Sequence, residues 1–265
     1  MTESINLRWT PRVEYILRIA DTALIHAQRL AEWCGHAPIL EEDIALANIG
    51  LDLLGQARAL LTHAASIEGQ GFDEDQLAFL RDEGGFRNLT LAELPLRGGS
   101  GAGGADFADT VLRVALLATW FELLWTRLQS STDAELAAIA GKAVKEARYH
   151  RQHGADWVVR LGDGTAESAA RMAAALQRSW PYTAEIFESD AVDVQASSSG
   201  LGPAMNELQP PWQAAIDAML AEAQLAKQVD TGFRSTGRIG RHSEHMGLLL
   251  AEMQQLQRSF PQGAW

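Results

Sequence analysis

The sequence predicts an all-α protein, a ferritin-like four-helix bundle with additional C-terminal helices, and three observations lead there. Apolar residues recur at steps of three and four through most of the 265 residues. No alternation of apolar and polar residues lasts more than a few positions. Two helical hairpins are separated by one long, glycine-containing connection, which distinguishes a ferritin-like bundle from an up-and-down bundle with three short loops.

The first predicted helix runs from Pro11 to Cys34, where Val13, Ile16, Leu17, Ala20, Leu24, Ala27 and Ala31 make one apolar stripe. Gly35 and Pro38 end it, because glycine accepts a left-handed conformation and proline cannot continue the hydrogen-bond ladder. A second helix follows from Glu41 to Ile67, with Glu41, Glu42 and Asp43 in its first turn, where carboxylates complement the helix dipole. These two make the hairpin 11–67. The crossover 68–105 holds a short helix, Asp73–Arg81, then RDEGGFRNLTLAELPLRGGSGAGG. The third helix spans Asp106–Gln129, and a turn capped by Thr132 or Asp133 leads into the fourth, through Leu161. They make the hairpin 106–161. Accessory helices are expected over 165–260: Ala166–Ser189 interrupted at Pro181, Trp212–Ala226 and His242–Phe260. No repeat of 20 to 50 residues is present, and one domain over 1–265 is expected.

An apolar content of 47% is enough for a substantial core. No uninterrupted apolar run reaches the roughly 18 to 20 residues of a membrane span, so no membrane partner is expected. A formal charge of −12, with 22 basic residues scattered along the chain, argues against nucleic acid. Cys34 is the only cysteine, and Glu3, Arg8, Arg12 and Glu14 occupy the place of an apolar export signal; cytoplasm is the expected compartment. Cys34 reads as a buried thiol, and its neighbour His36 has no third group to orient it as a base. The stretch Gly98–Gly104 lacks the Lys-Ser/Thr ending of a phosphate loop and reads as a flexible connection.

Ferritin-like bundles that bind two irons use single Glu ligands from two helices and Glu-x-x-His from the other two, because i and i+3 share a helix face. The residues three before the seven histidines are Ala23, Trp33, Leu60, Ala147, His150, Ile239 and His242, and none is a carboxylate. Asp52 and Glu146 each lie about 14 residues beyond the tip of their hairpin, mid-bundle, but Gly55 and Tyr149 stand where histidine is needed. On the facing helices, around Leu24 and Leu117, only Asp21, Gln28 and the offset Glu122 are near. The expectation is no metal in this chain. Asp52 and Glu146 instead make a polar contact or ion pair with Arg58, Lys142 or Lys145. Tyr149 is expected in the core, His150 and His153 to hydrogen-bond or face solvent, and His242-Ser243-Glu244-His245 to cap the last helix. A carboxylate-rich iron site, with His150 turned toward Glu146, is the open alternative.

The segment EWCGHAPILEEDIALANIGLDLLGQAR, Glu32–Arg58, resembles the structural C subunits of bacterial phenylacetyl-CoA epoxidase. So do Leu77–Leu89, Ala105–Thr110, Lys145–His150 and His242–Arg258, which spread the likeness over nearly the whole chain. The resemblance implies a non-catalytic subunit of an oxygen-dependent complex that epoxidises the ring of phenylacetyl-CoA in aerobic phenylacetate degradation. It implies that the di-iron cofactor belongs to a paralogous catalytic subunit, the expected partner, and that electrons come from a reductase subunit. It also implies CoA-ester contacts at Gly85, Phe86, Arg87 and Asn88, with Phe86 as a stacking face, and in a loop at Val194, Gln195 and Ala196. An independent di-iron protein and a lone CoA-ester-binding module remain as alternatives.

Overall fold

The computed structural model describes residues 4–96 and 106–260, and every regular element among them is a helix. Helix α1, Pro11–Ala31, starts where Thr10 accepts from the Val13 amide and Pro11 fixes the first turn. It ends before Cys34, in a turn in which Cys34 is exposed, not buried as expected. Helix α2, Leu40–Glu68, stops at Gly69, whose φ of 77° is the left-handed conformation glycine tolerates. Helix α3, Glu74–Phe79, has an Asp73/Gln76 capping box, and α4, Thr90–Glu93, is a single turn. Helices α5, Phe107–Leu128, and α6, Ala134–Gly162, form the second hairpin, capped by Asp106 and Asp133. The predicted connection Gly98–Gly104 lies outside the described residues.

The accessory region departs from the sequence reading in three places. Helix α7, Ala166–Ser179, gives way at Trp180 to a 3₁₀ segment through Phe187, the break expected at Pro181. Val194, Gln195 and Ala196, read as loop, lie in α8, Ala191–Ser198, held by an Asp190/Asp193 capping box that a short window does not reveal. Helix α9, Met205–Glu222, begins well before Trp212 and contains Pro210 and Pro211. The buried side chains of Met205, Leu208 and Trp212 hold that first stretch against the bundle, and packing overrides the local cost of the prolines. Helix α10 spans Met246–Ser259. His242 therefore lies ahead of it, and His245, at its N-cap, makes no side-chain cap; the expected capping role fails.

The two hairpins pack as a bundle of α1, α2, α5 and α6, with α7, α8 and α9 against α1 and α5. Helices α5 and α6 approach almost backbone to backbone at Gly154, where an added Cβ would lie 2.7 Å from the Ala115 nitrogen. The crossover is tied to α1 by buried charge. Arg81 forms a bidentate pair with Asp21, and the Arg87 amide donates to the same carboxylate at 2.8 Å. Glu93, fully buried, accepts from Asn88 Nδ2 at 2.8 Å and lies 2.7 Å from His242 Nδ1. His242 Nε2 meets the Phe86 carbonyl at 3.2 Å. Both partners are acceptors, so both ring nitrogens must donate, which selects the imidazolium. Burial works against charge on both groups, but their mutual hydrogen bond outweighs it: His242 titrates above its ordinary value and Glu93 below.

Two outcomes follow from this packing. Gly154→Ala gains about 1 kcal/mol of helix propensity but overpacks backbone atoms at a cost of about 1–3 kcal/mol, so urea unfolding should show net destabilisation. Gly141→Ala, with nothing within 4 Å of its added Cβ, should be neutral or stabilising. For the ion pair, the raised His242 contributes fully below about pH 6.5 and loses its share as pH rises through its folded value. The depressed Glu93 contributes above about pH 4.5 and loses its share as pH falls further. The stability difference between the native chain and His242→Gln should peak between those limits and shrink as the pH rises through the folded His242 midpoint.

Candidate functional site

Helices α2 and α6 run antiparallel, and a ladder of polar pairs joins them. His63 Nε2 lies 2.7 Å from Asp133 Oδ2. One rung on, Gln56 Nε2 donates to Glu146 Oε2 at 2.9 Å. His150 Nε2 is 3.0 Å from Asp52 Oδ2. His153 Nε2 stands 3.0 Å from Glu42 Oε2, a charge contact without hydrogen-bond alignment. Burial works to raise the Asp133 carboxyl, but bonds from His63 and Arg12 hold it down at about 2. Burial pushes the His150 imidazole below its ordinary value, against the pull of Asp52 and Glu146. His26, on α1 and also buried, is driven well below its ordinary value by desolvation and by the charges of Arg113 and His150.

Asp52 and Glu146 thus sit mid-seam, as hairpin symmetry predicts. Glu146 pairs with Lys142 at 3.7 Å, one of the partners expected, and also accepts from Gln56; Asp52 departs from the expectation, taking His150, whereas Arg58 reaches Glu74. His150 turns to Asp52, not Glu146. Gly55 is exposed, and Tyr149, expected in the core, is 56% exposed with its ring beside His153. Of the facing candidates, Asp21 is used by Arg81 and Glu122 by Arg148 and Arg151. Among the described residues no group of three or more His, Cys, Asp or Glu is arranged to hold a metal ion. About six converging donors are needed for two irons, and the residues of this seam do not fit them.

Residues 2–265 match the family described as phenylacetic acid catabolic protein. The chain is 47% identical over 251 residues, 95% of its length and 98% of the other's, to the C subunit of the 1,2-phenylacetyl-CoA epoxidase of Escherichia coli strain K12. The chain belongs to the phenylacetic acid catabolic protein family.

In this member of the phenylacetic acid catabolic protein family, the two segments implied for CoA-ester contact lie along the first half of α1. Arg18 joins them: it binds Glu14 at 2.9 Å and Asp193 at 3.0 Å, and Glu14 lies 3.5 Å from Arg87. Phe86 is fully buried with the Arg81 guanidinium 4.3 Å from its ring centre, so it presents no outward stacking face. Asn88 is also buried, bonded to Glu93 and the Leu89 carbonyl. Arg87 lies over Trp9 and donates to the Gly84 and Phe86 carbonyls; Gly85 is half-buried against Arg81. Val194 and Gln195 are exposed on α8, a helix and not the expected loop. Gln195 and Ala196 line a cleft of about 270 Å³ with Pro11, Arg12 and Asp133; Gly85–Asn88 do not reach it.

Sequence reasoning missed the ladder because it searched for i, i+3 pairs within a helix. The available signal was across helices: His63 with Asp133, Gln56 with Glu146, Asp52 with His150 and Glu42 with His153 follow one another in opposite order along α2 and α6, as partners on antiparallel helices do. The seam predicts a titration. Asp52→Asn removes a carboxylate that raises His150, so NMR should find the His150 midpoint lowered further. Because the unfolded imidazole protonates near 6.5 and the folded one does not, the variant should lose more stability than the native chain as pH falls below that value.

Proposed function

We propose that this chain is a non-catalytic subunit of a phenylacetyl-CoA epoxidase, acting in aerobic phenylacetate degradation by supporting a paralogous subunit that carries the di-iron centre. The observation that carries this reading is the α2–α6 seam. In a ferritin-like bundle the mid-bundle carboxylates are the natural ligands for iron, and here Asp52 and Glu146 bond to His150 and Gln56 across the seam. The likeness to the C subunit of an epoxidase supplies the reaction and the existence of other subunits. The chain's contribution is then architectural: a rigid partner whose crossover is fixed by the Asp21–Arg81 and Glu93–His242 pairs.

Within this reading, a CoA-ester contact is proposed at Gly85–Asn88 and Val194–Ala196. With Phe86 and Asn88 turned inward, Arg87 and Gln195 are the groups able to meet phosphate or amide oxygens. Reconstitution tests the main reading. Ring epoxidation of phenylacetyl-CoA should require this chain together with the other subunits, and the lone chain supplied with reductase should give none. Turnover by the lone chain would overturn it.

A further inference from the structure

The stretch that leads into α1 passes between the two segments implied for CoA-ester contact. Residues 4–10 cross the crossover and the end of α2 without regular structure, fixed there by the Ile5 amide on the Leu80 carbonyl at 3.0 Å and the Arg8 amide on Glu68 at 2.7 Å. The stretch lays Trp9 against Arg87, whose guanidinium carbon is 4.2 Å from the ring centre. Two positions later, Pro11 and Arg12 line the cleft of about 270 Å³ that Gln195 and Ala196 also line. Two residues span at most about 7 Å, so the ring adjoins the cleft, and residues 9–12 bridge segments that do not meet each other.

This bridge presents an aromatic face and cations that the fold leaves partly unsatisfied. Trp9 is 38% exposed, whereas Phe86, the ring expected to stack, is fully buried. Arg87 gives Nη1 to the Gly84 and Phe86 carbonyls, but its Nε has no hydrogen-bond partner. Its ion-pair partner, Glu14 at 3.5 Å, is shared with Arg18, which Glu14 binds at 2.9 Å. Two further arginines adjoin the pair in the chain: Arg8 beside Trp9, and Arg241 beside Gly240, where an added Cβ would lie 2.5 Å from Arg87 Nη1. Both are exposed, and neither side chain forms an ion pair among the described residues. On a chain of net charge −12, free arginines around an exposed indole suit one kind of ligand. An aromatic face stacks a nucleobase, and guanidinium groups beside it take the phosphates.

We propose that Trp9, Arg87 and Arg241 receive the nucleotide end of the CoA ester, with adenine on the exposed side of Trp9, phosphates at the two arginines, and the pantetheine arm led past Pro11 toward Gln195. This rests on the reading that a CoA ester contacts this chain. The test measures ring epoxidation by the assembled complex with phenylacetyl-CoA and with phenylacetyl-pantetheine, which lacks the nucleotide, using the native chain, Trp9→Ala, Trp9→Phe and Arg241→Gln. Trp9→Ala should raise the KM for phenylacetyl-CoA about tenfold relative to that for phenylacetyl-pantetheine, near the low end of what a base stacked on an aromatic ring contributes. Trp9→Phe, which keeps a ring, should restore most of the difference. Arg241→Gln should raise the same ratio, most strongly at low salt. Because the ratio compares two substrates on one complex, partial loss of folding or assembly leaves it unmoved. An unchanged ratio in Trp9→Ala, or an equal rise in KM for both substrates, would overturn the proposal. A native complex with the same KM for both substrates would instead overturn the CoA-contact reading beneath it.

Discussion

The ladder of histidine, glutamine and carboxylate between α2 and α6 is the interaction on which the rest depends. Within each hairpin, α1 with α2 and α5 with α6, long apolar faces pack along their whole length. Between hairpins the α2–α6 contact is thinner, and polar pairs fix its register. His150 is nearly fully buried, and losing its acceptor would leave a buried imidazole nitrogen unpaired. Asp52 is 41% exposed, so water screens its side of the pair, and the rung sets position more than it adds stability. A single seam thereby aligns the hairpins and occupies the carboxylates that a metal would need.

The crossover repeats this logic at the other flank of the bundle. A connection that long would cost considerable order if held by apolar contacts alone, and its backbone amides need partners once it is buried. Asp21 accepts from the Arg87 amide, Thr22 from the Leu89 amide and Glu185 from the Thr90 amide, so three side chains from other elements satisfy successive parts of one strand of backbone. His242 and Ser243 then close over Glu93 from the chain's far end. The residues that resemble a CoA-contact segment are thus also the residues that anchor the crossover, which limits how many of them can face a ligand.

The helices of the four-helix bundle were legible because their apolar spacing is long and regular, with starts read at Pro11, Glu41 and Asp106 and a cap at Thr132 or Asp133; the Thr10 cap emerged only in the structure. The mid-bundle placement of Asp52 and Glu146 was legible from hairpin symmetry, and the missing histidines from the identities of Gly55 and Tyr149. What lay beyond the sequence were choices made in three dimensions. Asp52 could bond Arg58 or His150, and only helix register decides. Tyr149 is aromatic but outward because its neighbours Ala147 and His150 take the inner face. Helix α8 is too short to show a period, and α9 survives two prolines because Trp212 and Leu208 are buried on the same face.

The central claim, that the seam is a structural lock and not an iron site, is tested most directly by the iron content of the assembled complex. The complex would be isolated intact with either the native chain or a Glu146→Gln/His150→Gln variant, which keeps hydrogen-bonding groups at both positions. The account predicts the same iron per complex in both preparations. Loss of iron from the intact variant complex, in proportion to this chain, would contradict it.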